Sequence, residues 1–185
     1  MIRRLAGKIG RRSFARDERG VSAVEFALLS PLMIGLYLGG VELSQGIGID
    51  RKVTLTAGAM ANLAAQVATI STSDMTNILA ASTAVMAPYS TAPLTITLSC
   101  LNIDANSAVK VRWSVTQGGT ARSVGASVAI PAALVVPNTQ LLFSEVAYGY
   151  KPIIGYTITG TLTLSDKMFM SPRITAPVYN STACT

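Results

Sequence analysis

The chain has 185 residues, room for one modest domain plus an anchoring segment. It contains no histidine, which excludes a Ser-His-Asp triad, a histidine-ligated metal and a histidine general base. Its net charge is +6, but residues 1–20 hold Arg3, Arg4, Lys8, Arg11, Arg12, Arg16 and Arg19 against Asp17 and Glu18, a net of +5, and the remainder nets only +1. The basicity is a leader and not a nucleic-acid face.

Residues 1–20 therefore read as a basic leader, and basic residues beside an apolar segment stay cytoplasmic. From Val21 the pattern is helical. The uncharged run from Phe26 to Val41 is 16 residues, bracketed by Glu25 and Glu42. A membrane helix needs roughly 17–25 apolar residues, so the run spans only if one or both glutamates enter the interface. A carboxylate at the bilayer centre costs about 2.5–3.5 kcal/mol on insertion scales. Two readings of Glu25 follow. Either it lies at headgroup level in the first helical turn, helped by the helix dipole, or it pairs with a cation from a neighbouring chain.

Pro31 sits within this helix and is expected to kink it or free one backbone bond. Gly35 and Gly39 have a spacing that permits close helix packing, although glycine is common in membrane helices in any case. An ordinary cleaved signal peptide fits poorly. Its apolar core of about 7–15 residues leads directly to a small-residue site, whereas Ala57-Gly58-Ala59 lies beyond Glu42, Asp50, Arg51 and Lys52. Ala57, Ala59, Ala61, Ala64, Ala65 and Ala68 favour helix, and Val53, Leu55, Met60, Leu63 and Val67 suit an amphipathic continuation packed on a domain. One helix from 21 to about 69 would be roughly 70 Å long.

Ser71-Thr-Ser-Asp74 interrupts it. A second helix is expected from about Asp74 to Met86, started by Ser73 or Asp74 and ended by Pro88 and Pro93. Period-two segments follow. Leu94, Ile96 and Leu98 alternate with polar residues, as do Val109, Val111, Trp113 and Val115, and later Tyr156, Ile158, Leu162 and Leu164. Residues 141–148 are apolar at both parities, as in a central strand. The predicted fold is α+β: a long N-terminal helix, transmembrane then amphipathic, packed on an antiparallel sheet of four or five strands whose other face is polar. The expected division is a leader at 1–20, the helix at 21–70 and an exported domain at 71–185.

Cys100 and Cys184 are a candidate disulfide in an oxidising compartment; neither C-x-x-C nor metal-ligand spacing occurs. After Arg51 the carboxylates are Asp74, Asp104, Glu145 and Asp166, without paired acid/base spacing. Ser165 with Lys167 is the remaining nucleophilic option, and such pairs are ordinary on a solvated strand. There is no P-loop and no G-x-G-x-x-G. No catalytic residue, cofactor, metal, nucleic acid or small-molecule substrate is expected.

The stretch Gly20-Val21-Ser-Ala-Val-Glu25-Phe26, with a basic leader before it and an apolar run after it, resembles a type IV prepilin processing site. The likeness is to the TadE/TadG-like pseudopilins of the tight-adherence (Tad, or Flp) pilus. The resemblance implies cleavage after Gly20 by a prepilin peptidase, leaving Val21 as a mature N-terminus open to N-methylation. Glu25 would be the fifth mature residue, which in type IV pilins answers the N-terminal ammonium of an adjacent subunit. Phe26 stands where major Flp pilins carry tyrosine. Ser144-Glu-Val-Ala-Tyr-Gly-Tyr-Lys-Pro152 and Ser171-Pro-Arg173 are similar to the closing pattern of TadE-like proteins, while residues 70–135 carry no family motif. The implied role is a minor pilin or assembly pseudopilin, single-pass in a bacterial inner membrane, with a periplasmic or extracellular C-terminal domain. Its implied partners are the peptidase, other pilins and the assembly machinery. The alternative is an uncleaved membrane-anchored interaction protein that never enters a filament.

Overall fold

A computed structural model describes residues 19–153 and 160–185. The chain divides after Val41 into two compact units. The described part of the first is helix alone. Helix α1 (Arg19–Ala65) continues through Pro31. Between Val21 and Val41 its large apolar side chains lie exposed, except the half-buried Leu38; Phe26, Leu28, Leu36 and Tyr37 are exposed by 70% or more.

The second unit begins at Glu42. Here α1 buries Ile49, Val53, Ala57, Met60 and Ala64, a stripe at helical spacing, in one core with Ile96, Leu98, Trp113 and Leu142 of the sheet. Strand β1 (Thr69–Ile70) and helix α2 (Thr72–Ala84) follow. The α2 cap is Ser71, two residues before the first expected candidate. Ser71 and Asp74 form a capping box: the Asp74 amide donates to the Ser71 hydroxyl, and the Asp74 carboxylate accepts from the Ser71 amide at 3.0 Å. The Ser71 hydroxyl, then its amide, hold the Asp74 carboxyl below its ordinary range.

Strands β2 (Leu94–Ile103), β3 (Val109–Gln117), β4 (Thr139–Tyr150) and β5 (Leu162–Met170) form a four-stranded sheet. Its order is β3-β2-β4-β5, and every pair in it is antiparallel. The fold is α+β, with a long N-terminal helix and an antiparallel sheet. Strand β5 runs on to Met170, beyond the expected segment, whose first members Tyr156 and Ile158 lie outside the described residues, as does the leader up to residue 18.

One expectation fails for a specific reason. Cys100 pairs with Trp113, but the next residue, Leu101, pairs with Val111, so Arg112 is an extra residue in β3. This bulge reverses the parity of β3. Trp113 and Val115 face α1, while Val109 and Val111 face the opposite side. There they join Leu101, Ile103, Leu141 and Phe143 in a second core under Val128, Ile130, Leu134 and Val135. Part of the face expected to be polar is therefore covered by the connection from β3 to β4.

The C-terminal segment straps the second unit. The Arg173 amide donates to the Ala65 carbonyl at 3.0 Å, satisfying an end carbonyl of α1. Strand β6 (Val178–Tyr179) pairs parallel with β1. The Trp113 indole N–H donates to the Pro177 carbonyl at 3.2 Å, and its ring lies 5.5 Å from that of Tyr179. Cys184, fully buried, is joined to Cys100 of β2 with a Cα–Cα distance of 5.9 Å across a sequence separation of 84.

Replacing both cysteines by alanine is expected to lower unfolding stability by about 2–5 kcal/mol, because the bridge restricts a long loop in the unfolded chain. Denaturant titration of the purified chain measures this. Alkylation without prior reduction should leave the native mass unchanged, and two labelled thiols would contradict the bridge.

Candidate functional site

The processing and assembly candidates lie at the start of α1. Gly20 is its second residue, and nothing lies within 4 Å of where its Cβ would stand. Val21 and Phe26 are 57% and 70% exposed, and Glu25 is exposed. In the uncut chain Glu25 is the seventh residue of α1, past the first turn to which the helix dipole's benefit is confined. No cation pairs with Glu25 among the described residues. Gly35 and Gly39 share a helix face, and each would have open space at its Cβ.

The other candidates are placed differently. Cys100 and Cys184 lie in the core and tie the C-terminal segment to β2. Ser165 and Lys167 share a face of β5, but the Lys167 ammonium lies 3.7 Å from the Glu145 carboxylate on β4. Glu145 also takes a two-pronged pair from Arg122, at 2.5 and 2.8 Å, and the guanidinium sits 5.4 Å from the Phe143 ring centroid. The hydrogen bonds to Glu145 raise the Arg122 pKa further. This cluster pins the covering connection to the sheet and places Lys167 beside a carboxylate.

A group not singled out from the sequence surrounds α1 just after the apolar run. Tyr89, Tyr148 and Tyr150 line an open groove of about 560 Å³ together with Gln45, Ile49 and Lys151. Two helix glycines let these rings close on α1. A Cβ at Gly48 would stand 2.6 Å from the Tyr89 hydroxyl, and one at Gly46 would stand 3.6 Å from the Tyr150 ring. The Tyr150 hydroxyl donates to the Glu42 carbonyl at 3.2 Å. Burial pushes the Tyr148 and Tyr150 hydroxyls above their ordinary pKa, with a smaller contribution from Tyr89 to both and from Glu42 to Tyr150. The available sequence signal was the pair Gly46 and Gly48 inside a helical pattern, since such glycines weaken a helix unless something packs there.

With this geometry in place the comparison with known families becomes specific. Residues 20–68 match the TadE-like protein family. The match opens at Gly20, takes in both the exposed and the buried parts of α1, and stops before β1. It does not extend to 144–152 or 171–173. No curated protein and no solved structure matches the chain. The TadE-like match points to a component associated with the Tad pilus, and α1 is long and apolar enough to cross a membrane.

Glycine to alanine in a helix normally gains about 1 kcal/mol. Gly39→Ala, in open space, should show that gain in thermal unfolding of the detergent-solubilised chain. Gly48→Ala should gain less than this or nothing, because its Cβ displaces the Tyr89 hydroxyl. Equal stabilisation by both substitutions would contradict the packing of Tyr89 on α1.

Proposed function

We propose that this protein is a minor pilin or assembly pseudopilin of a Tad-type pilus, cut after Gly20 and anchored by the apolar part of α1. One observation carries the reading: the TadE-like match begins at Gly20 and spans a helix whose uncharged run, Phe26–Val41, buries none of its large side chains among the described residues. A bilayer or neighbouring apolar helices would supply the missing burial. The uncharged run from Phe26 to Val41 would rise about 24 Å and matches the hydrocarbon thickness of roughly 30 Å once Glu25 or Glu42 enters the interface. The basic leader favours a cytoplasmic N-terminus. The second unit would then be exported, where the Cys100–Cys184 bridge is chemically at home.

Cleavage at Gly20 has a physical consequence for Glu25. It removes the net +5 of the leader and frees the Val21 ammonium. Glu25 then lies four residues from that terminus, about 6 Å along the helix. A neighbouring subunit shifted by about one turn brings its own Val21 ammonium to Glu25. In low dielectric such a pair attracts strongly, while either partner alone is costly. The open faces at Gly35 and Gly39 would let neighbouring helices approach closely.

The mature N-terminus tests the reading. Mass spectrometry of membrane-extracted protein from cells with an active prepilin peptidase should find Val21 first, and an intact Met1 start would refute processing. Gly20→Asp should remain uncut. Glu25→Ala should keep membrane insertion, fold and disulfide, yet co-purify with pilus components at least about tenfold less, the loss of roughly 1.4 kcal/mol or more. Wild-type co-purification would assign Glu25 to an interfacial position only. Presence of the chain in sheared pili separates a filament subunit from an anchored interaction protein.

A further inference from the structure

We propose that the C-terminal strap, residues 171–185, is a redox latch. It lies closed over Trp113 and the end of α1 only while the Cys100–Cys184 bridge holds it, and reduction releases it without unfolding the sheet. The inference concerns the second unit alone and stands with or without a pilus.

Three observations converge. The first is how little of the strap is buried. Of residues 171–185 only Pro177 and Cys184 are buried. The noncovalent hold is thin. Strand β6 pairs with β1 over two residues. The Arg173, Val178 and Asn180 amides donate to the Ala65, Ala68 and Ile70 carbonyls at 3.0, 3.0 and 3.4 Å. The Arg173 guanidinium donates to the Asn62 side chain at 2.7 Å, and the Trp113 indole to the Pro177 carbonyl at 3.2 Å. Such bonds replace bonds to water and contribute little net, while ordering each backbone residue costs conformational entropy.

The second is where the bridge falls. Strand β5 ends at Met170 and fixes the near end of the strap, and Cys184 fixes the far end on β2. A segment tethered at both ends loses less entropy on docking than one tethered at one end. The bridge thus tips a balance that the strap's own contacts leave close to even.

The third is what the strap covers. Ile70, Cys100 and Trp113 are buried where it lies. The sheet itself is held by the pairings of β2 with β3 and β4, and of β4 with β5, in which residues 171–185 take no part. Ile49, Val53, Ala57 and Met60 pack α1 on that sheet. Lifting the strap is therefore a local opening.

Both cysteines are fully buried, so thiol–disulfide exchange needs the strap open. Cys184 rides on the strap and is the thiol a disulfide partner meets first. With oxidised glutathione, the Cys184 thiolate attacks one glutathione sulfur, breaks that S–S bond and releases a glutathione thiolate. The Cys100 thiolate then attacks the Cys184 sulfur of the mixed disulfide and releases the second glutathione thiolate. The chain loses two protons to solvent and two electrons to glutathione. On an exported domain the latch closes after export, since thiols stay reduced in the cytosol.

The test is hydrogen exchange of the full detergent-solubilised chain, read by mass spectrometry. Bridged wild type is compared with Cys184→Ala, which leaves Cys100 in place, and with reduced wild type. In both unbridged forms the Arg173, Val178 and Asn180 amides should exchange within about tenfold of the unfolded-chain rate, and β2 and β4 amides at least about a hundredfold more slowly than these. In bridged wild type the strap amides should be protected. Emission of Trp113, the one tryptophan of the chain, should shift to the red when the bridge is lost. Reoxidation of reduced wild type with oxidised glutathione should restore strap protection. Strap amides as protected as β2 and β4 in the unbridged forms would overturn the latch. Loss of protection in β2 and β4 as well would overturn it too, since the bridge would then hold the whole unit. Failure of the reoxidised chain to recover would overturn the switch.

Discussion

From Ile49 to Ala65, α1 buries its apolar stripe against the sheet, and from Val21 to Val41 the same helix buries none of its large side chains among the described residues. That division governs the rest of the chain. Burying apolar surface yields about 25 cal/mol per Å², so the C-terminal part of α1 is held by the domain it helps to build. The N-terminal part has no such return in water. It needs lipid or other helices, and the proposed membrane and pilus role follows from that need more than from any single motif.

The second unit is built to hold its portion of α1 firmly. Ala57, Ala61, Ala64 and Ala65, each fully buried, allow the helix to lie close to its neighbours. The C-terminal segment then closes over the end of α1 through Arg173, β6 and the Trp113 contacts, and the disulfide fastens it to β2. Nearer the apolar run, Gly46 and Gly48 admit the tyrosine rings. Each glycine weakens the helix by itself. The packing of Tyr89 and Tyr150 explains why they stand there.

Much of this was legible in residue order. The long helix, the α+β class and the central place of residues 141–148 follow from period and composition. The bulge at Arg112 was not legible: Val109, Val111, Trp113 and Val115 alternate evenly, and only the pairing with β2 shows that two of them face the other way. The cap of α2 fell on Ser71 instead of Ser73 because reciprocal bonds with Asp74 need a three-residue spacing. The two-residue strands β1 and β6 carry too little pattern to announce a long-range pairing. At the site, Gly20 and Glu25 were visible because leader, glycine, carboxylate and apolar run occur together. The tyrosine group was not, since Tyr89 meets Tyr148 and Tyr150 only through the fold.

The central claim is that α1 passes from lipid to water near Glu42. Single cysteines introduced along the helix test it most directly, for example Ser30→Cys, Leu36→Cys, Leu43→Cys and Asp50→Cys. Each is probed in sealed membranes, with the second unit facing out, by a maleimide that cannot enter the bilayer. The native cysteines are bridged and silent. The account predicts no labelling at positions 30 and 36 and labelling at 50, with the onset close to 43. Comparable labelling at 30, 36 and 50 would contradict it.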